Sequence, residues 1–248
     1  MHRFYLPPEQ CRSSSLLLTG REAHHAIRVL RLRRGDEVVV LDGAGSEIFC
    51  NVQAAEKAAV QLTVTKKNST PRLPYQITLL QAVPKGKIIE SIIQKAVELG
   101  VHRVVPLLAE RVVTRLEGDN AAHKAEKLQH IAIEAIKQCG STWLPKIETP
   151  MTPAEFLARG ENFELPLIAS LQSGTRHARE YFQTFQSEHG RKPATACVWI
   201  GPEGDYTTAE VRMIQGGGAL PITLGQLVLR VETAAMYCLS ILNHELQS

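Results

Sequence analysis

Residues 194–210 read ATACVWIGPEGDYTTAE. Ala194 to Ile200 is a short apolar run with β-branched and aromatic residues, of a length that suits a buried strand. Gly201 and Gly204 then interrupt it, and residues without a Cβ allow positive φ or close approach of a ligand to the backbone. Thr207 followed by Glu210 fits a capping box, which starts a helix. The stretch therefore predicts strand, loop and helix, with the loop at the carboxyl end of a sheet strand, where α/β proteins bind ligands. A tight Gly-Pro connecting turn is the alternative reading of the loop by itself. The loop is neither G-x-G-x-x-G nor a Walker A sequence, which argues against dinucleotide and nucleoside triphosphate sites.

The same alternation extends outward from this stretch. Gln76–Val83 (QITLLQAV), Val101–Leu108, Leu165–Leu171 and Ala219–Leu224 read as further strands. Lys87–Leu99, about 120–139, about 175–188, Thr208–Gln215 and Val231–Leu246 read as helices. Apolar strands alternating with helices imply a mainly parallel sheet covered on both faces. A second strand end runs into LGQLVLRVETAA, residues 224–235, where Arg230 and Glu232 lie beside an apolar stretch. Two successive loops at strand ends point to one pocket. Glu232 and Thr233 suit the first turn of a helix equally well, and Glu232 is also an available ion-pair partner for Arg230.

Before residue 70 the pattern differs. Glu37–Leu41, Glu47–Val52 and Ala59–Thr65 are short β-branched runs separated by turns, a spacing that predicts a small barrel or sandwich. One helical segment lies between Leu18 and Leu32. Residues 66–74, KKNSTPRLP, read as a linker. Two domains follow, residues 1–70 and residues 71–248. In the first, Arg21, His24, His25, Arg28 and Arg31 precede Arg33 and Arg34, with Glu22 and Asp36 the only acids. Positions 21, 24, 28 and 31 step by three, four and three, which predicts one helical face. A guanidinium stripe of this kind suits the phosphates of RNA; an ordinary solvated face is the competing reading.

Across the 248 residues, 28 Lys and Arg against 25 Asp and Glu leave a net charge of +3, which excludes a histone-like polycation. No apolar run approaches the ~20 residues of a membrane helix. The start, MHRFYLPP, has no apolar signal region, so a cytoplasmic protein with no membrane partner is expected. Cys11, Cys50, Cys139, Cys197 and Cys238 form no C-x-x-C, which predicts buried free thiols rather than a zinc site or disulfide framework.

The paired loops GPEGDYT and LGQLVLRVETAA resemble the motifs of the RsmE family of 16S ribosomal RNA uridine N3 methyltransferases, in the trefoil-knotted SPOUT superfamily. HRFYL at residues 2–6 and HHAIRVLRLRRGDEVVVLDGAG at 24–45 resemble that family's PUA-like RNA-binding domain. IQKAVELGV at 93–101, Glu110-Arg111 and IAIEAIKQCG at 131–140 resemble its central segments. The resemblance implies a small N-terminal PUA-like β-barrel followed by a knotted SPOUT domain, and a homodimer acting in rRNA processing and ribosome biogenesis. It implies S-adenosylmethionine as cofactor, held by Leu171, Gly201, Glu203, Gly204, Leu224, Gly225, Gln226, Val228, Leu229 and Arg230, with no metal. Arg230, Glu232 and Arg111 are the catalytic candidates. The RNA-binding candidates remain Arg21, His24, His25, Arg28, Arg31, Arg33 and Arg34, with 16S rRNA or the small ribosomal subunit as partner. Three positions depart from the family pattern: Asp205 replaces a glycine, and Leu227 and Ser141 stand where arginines are usual. The two missing cations are the main support for a rival reading, a catalytically silent RNA-binding protein that retains the fold.

Overall fold

The computed structural model describes residues 1–112, 119–172 and 174–247. The chain divides into two compact units, residues 1–72 with 133–144, and residues 73–132 with 145–248.

The first unit is built on a five-stranded sheet in the order β1-β3-β4-β5-β2. Its strands are β1 (His2–Tyr5), β2 (Ser15–Leu18), β3 (Glu37–Leu41), β4 (Ser46–Ala55) and β5 (Val60–Ser69). β1 runs parallel to β3 and the other pairs are antiparallel. Alternation along β4 turns Ile48, Cys50 and Val52 inward, where they meet Phe4, Leu16, Leu18, Val38, Val40, Val60 and Leu62. Helix α1 (Gly20–His24) closes over this core with Ala23, and Ala26 follows from the next turn. The expected linker is shorter than its composition suggests, because Lys66, Lys67, Asn68 and Ser69 continue β5 and pair with residues 46–49. Ladder hydrogen bonds hold that polar extension where apolar patterning does not. The later segment 133–144 belongs to this unit through specific contacts. Arg3 donates to the carbonyls of Lys137 and Gln138, and Lys137 Nζ lies 2.9 Å from Glu22. Trp143 closes on Gly45, where an added Cβ would come within 2.6 Å of the indole.

The second unit holds a six-stranded sheet in the order β11-β9-β10-β6-β7-β8, parallel at every pairing. Its strands are β6 (Gln76–Ala82), β7 (Arg103–Leu107), β8 (Lys146–Ile147), β9 (Leu165–Ala169), β10 (Thr195–Ile200) and β11 (Leu220–Ile222). The helices are α2 (Ile88–Glu98), α3 (Asp119–Cys139, whose residues from 133 onward belong to the first unit), α4 (Pro153–Leu157), α5 (Ala178–His189), α6 (Thr208–Gly216) and α7 (Val231–Gln247). Both faces of β6 are buried, as its apolar run predicts. One face, with Leu80, Val105, Leu107, Cys197 and Trp199, packs on Phe156 of α4 and on Val211 and Ile214 of α6. α7 lies along β6 and β10 beside α2. The expected alternation is thus realised, with β8 and α4 as additional short elements.

Four cysteines are buried and one, Cys139, is exposed, contrary to expectation for that residue. Burial pushes the thiols of Cys11 and Cys50 up to about 11 and those of Cys197 and Cys238 up to about 12. These four stay protonated and unreactive near neutral pH. Among the described residues, no helix is long and apolar enough to cross a membrane.

Candidate functional site

Three neighbouring strands, β11, β9 and β10, deliver their carboxyl ends to one cavity of about 650 Å³. Ala169 to Gln172 follow β9, Ile200 to Glu203 follow β10, and Thr223 to Glu232 lead from β11 into α7. A volume of this size falls in the ordinary range for small-molecule and cofactor sites. Leu171, Gly201, Glu203, Leu224, Gly225, Gln226, Val228, Leu229, Arg230 and Glu232 all line it, so the two loops share one pocket. Gly204 and Arg111 do not. Their contact is with each other: the Arg111 guanidinium donates to the Gly204 carbonyl. Arg111, a catalytic candidate from the sequence, thus lies outside the cavity lining.

The 201–207 loop is internally fixed. Asp205 takes φ +57°, a left-handed conformation that Asp tolerates better than most residues. Its N–H donates to the Pro202 carbonyl at 2.9 Å, and its carboxylate accepts from the Tyr206 N–H at 2.8 Å. The carboxylate lies close to Gly201, where a Cβ would come within 2.9 Å of Asp205 Oδ1 and 3.3 Å of the Tyr206 N. The buried Tyr206 donates its hydroxyl to the Ile200 carbonyl at 3.1 Å. Burial, then the charges of Glu210 and Asp205, raises this phenol's pKa well above its ordinary value and keeps it a donor. The predicted capping box is formed, with Glu210 accepting from Thr207 N–H at 2.9 Å and Thr207 accepting from Glu210 N–H at 3.2 Å.

The 223–230 loop has few internal ties. Thr223 Oγ1 accepts from Gly225 N–H at 3.2 Å. Among the described residues, the backbone N–H groups of Gln226 through Arg230 have no acceptor in the protein. Leu227 and Val228 are 78% and 79% exposed at the cavity wall. Arg230 and Glu232 form no ion pair with each other. Both remain available to a ligand.

The basic run of the first unit is exposed by a different geometry from that expected. α1 ends at His24 and a π-helical turn covers His25–Val29, so the 3.6-residue period does not continue. The segment ends with Leu32 N–H on the Ala26 carbonyl and with Arg31 left-handed at φ +55°. Arg21, His24, Arg28, Arg31, Arg33 and Arg34 are nonetheless all exposed. His25 is the exception: it is half-buried and packs edge-on to Phe4, with ring centroids 6.3 Å apart. Glu22, the acid within the helix, is engaged by Lys137.

The chain matches the RNA methyltransferase domain family over residues 71–243 and the RNA methyltransferase PUA domain over residues 18–65. It belongs to this RNA methyltransferase family. The chain is 31% identical to the ribosomal RNA small subunit methyltransferase E of Bacillus subtilis, covering 92% of this chain and 89% of that protein. It is 32% identical to the enzyme of the same name from Synechocystis, over 100% of this chain and 78% of that protein. Among solved structures, a Neisseria gonorrhoeae ribosomal RNA small subunit methyltransferase E bound to S-adenosylmethionine is 26% identical with TM-score 0.84, over 98% of this chain and 97% of that one. A Legionella pneumophila protein with bound cofactor SAM is 31% identical with TM-score 0.88, over 98% and 96%.

In this RNA methyltransferase the three departures have local explanations of unequal depth. Asp205 lines the cavity and is accommodated by Gly201. Ser141 donates to the Trp143 carbonyl at 3.0 Å and so closes the 141–143 turn. Nothing in the structure explains Leu227. Sequence reasoning missed Ser170 and Gln172, which the strand-end rule applied to β9 would have found, and Ile88, which arrives from α2 and carries no local signal.

Proposed function

We propose that this chain transfers a methyl group from S-adenosylmethionine to N3 of a uridine in 16S ribosomal RNA, and that it works in the cytoplasm as a homodimer. The carrying observation is the cavity at the ends of β9, β10 and β11, with a row of backbone donors at residues 226–230 that have no acceptor among the described residues. The relatives named as ribosomal RNA small subunit methyltransferases, and the solved relative holding S-adenosylmethionine, support the same reading.

The lining fits that cofactor. Leu171, Leu224, Val228 and Leu229 offer apolar surface for a purine ring, and the free N–H groups offer donors to its ring and ribose acceptors. Glu203, Asp205 and Glu232 set three carboxylates against the single guanidinium of Arg230, a charge balance suited to a cationic sulfonium. When bound, S-adenosylmethionine supplies the electrophilic methyl group, so no metal is required. The chain's own work is to prepare uracil N3, which must lose its proton. In this proposal Glu232 accepts that proton and Arg230 stabilises the negative charge left on the ring. Leu171 stands exposed at the cavity rim and Tyr237 is exposed on α7, apolar surface that a second copy would cover.

Uracil N3 lies on the Watson–Crick edge, so the base must be unpaired or flipped out to react. Arg21, His24, Arg28, Arg31, Arg33 and Arg34 are assigned to grip the RNA backbone around it. His25 supports that segment from within.

The test is nucleoside mass spectrometry of small-subunit RNA, from unmethylated subunits incubated with the protein and methyl-labelled S-adenosylmethionine. Labelled N3-methyluridine is expected from the wild type and not from Arg230→Ala. Arg28→Glu combined with Arg31→Glu should lose transfer while keeping cofactor binding. Cofactor and RNA binding without any labelled nucleoside would identify a silent RNA-binding protein instead.

A further inference from the structure

The 203–210 segment is tied to the rest of the sheet by three hydrogen bonds that cross the fold. Lys85 N–H, from the loop after β6, donates to Glu203 Oε1 at 2.9 Å. Glu110 N–H, from the loop after β7, donates to Glu210 Oε1 at 2.9 Å. Arg111, the next residue, donates through its guanidinium to the Gly204 carbonyl. β7 lies two strands from β10, with β6 between them, a span of about 10 Å at the usual strand spacing. Only long side chains bridge such a distance, and Glu210 and Arg111 do so from opposite directions.

Each tie holds a different part of the segment. Glu210 divides its two oxygens, Oε2 capping its own helix and Oε1 receiving the β7 loop. Val112 N–H bonds the Ala109 carbonyl at 2.9 Å, so the turn that carries Arg111 is itself closed. The Arg111 side chain lies against Gly204, where a Cβ would sit 3.5 Å from Arg111 Cδ. Gly204 is one residue from Glu203 and from Asp205, both in the cavity wall, while neither Gly204 nor Arg111 lines the cavity. A pull on the Gly204 carbonyl thus sets the position of two wall residues without touching what they hold.

We infer that Arg111 is a positioning residue for the cofactor pocket, acting through the Gly204 carbonyl to hold the 201–206 wall in its receptive form. This rests on the reading of the cavity as the S-adenosylmethionine site. One guanidinium nitrogen, Arg111 Nη1, is given to the Gly204 carbonyl at the protein surface, and in this inference its function is cofactor affinity rather than contact with RNA or with the reacting base.

The experiment compares wild type, Arg111→Met and Arg111→Lys by calorimetry with S-adenosylmethionine, by RNA binding, and by steady-state methyl transfer. Arg111→Met should raise the cofactor Kd and KM at least tenfold, with kcat at saturating cofactor within threefold of wild type and RNA affinity unchanged. Arg111→Lys, which keeps one donor for the carbonyl, should recover part of the cofactor affinity. An RNA affinity or kcat that falls while cofactor Kd holds would overturn the inference and make Arg111 a substrate-contact residue. If Arg111→Met does not fold, Arg111→Lys decides by the same split, a raised cofactor Kd supporting the inference and a raised RNA Kd overturning it. A wild type that binds no S-adenosylmethionine would instead overturn the reading of the cavity itself.

Discussion

The loops after β10 and β11 form two walls of one cavity, and they are held in opposite ways. The first, residues 201–207, has the amides of Asp205, Tyr206 and Thr207 bonded to acceptors within the loop and its helix cap, and the segment 203–210 is tied to two other loops. The second, residues 223–230, leaves five consecutive N–H groups from Gln226 to Arg230 without an acceptor among the described residues and exposes Leu227 and Val228. A buried polar group without a partner is costly, whereas an exposed one is satisfied by water until a ligand replaces it. One wall is therefore preorganised by the fold, and the other is completed by what binds. Preorganising only part of a site reduces the ordering cost of binding while leaving the remainder open to ligand entry.

The largest effect should come from loosening the fixed wall. Glu210→Ala removes the acceptor for Thr207 N–H and for Glu110 N–H together. Loss of a cap plus an unsatisfied amide predicts a stability loss of roughly 2–4 kcal/mol in denaturant unfolding. A loss below about 0.5 kcal/mol, the scale of an ordinary surface change, would show that the ties are incidental.

The open wall should respond in the reverse sense. Leu227→Ser with Val228→Ser should leave stability within about 0.5 kcal/mol, yet weaken S-adenosylmethionine binding about tenfold, or ~1.4 kcal/mol. Calorimetry and a thermal melt of the same sample check both halves. A destabilised variant with unchanged affinity would reverse the assignment of the two walls.

The smallest effect concerns the opposite end of the sheet, remote from both loops. The Arg191 guanidinium, together with the Ala194 N–H, holds the Glu164 carboxyl down to about 2. A carboxyl with a depressed folded-state pKa contributes stability above its unfolded value and loses it as pH falls through the folded one. The melting difference between wild type and Glu164→Gln should thus be constant near neutrality, shrink below the ordinary glutamate value of 4.5, and vanish towards pH 2. A difference that does not change with pH would remove the ion pair from the account.

The sequence made the local part of this arrangement legible. β10, the glycine loop and the Thr207–Glu210 box are coded within 17 consecutive residues, 194–210, and all three form. What escaped was either long-range or a break in periodicity. The second oxygen of Glu210 meets an amide 100 residues away, and Arg111 meets a carbonyl 93 residues away. No spacing rule relates such pairs. The basic run was legible as charge but not as geometry, since a helical period presumes an α-helix and the chain turns π-helical at His25. His25 itself carries the same charge-bearing chemistry as its neighbours, and only the position of Phe4 on β1 identifies it as packing. β1 and β2 are four residues each, too short for alternation to announce them.

Hydrogen exchange of the free and cofactor-loaded protein tests the central claim most directly. The amides of Asp205, Tyr206 and Thr207 should exchange slowly in both states, because each already has an acceptor. Those of Gln226 to Arg230 should exchange fast in the free protein and become protected when S-adenosylmethionine is added. Exchange at 226–230 that S-adenosylmethionine leaves unchanged, or protection of those amides in the free protein, would contradict the assignment of this cavity and of its two walls.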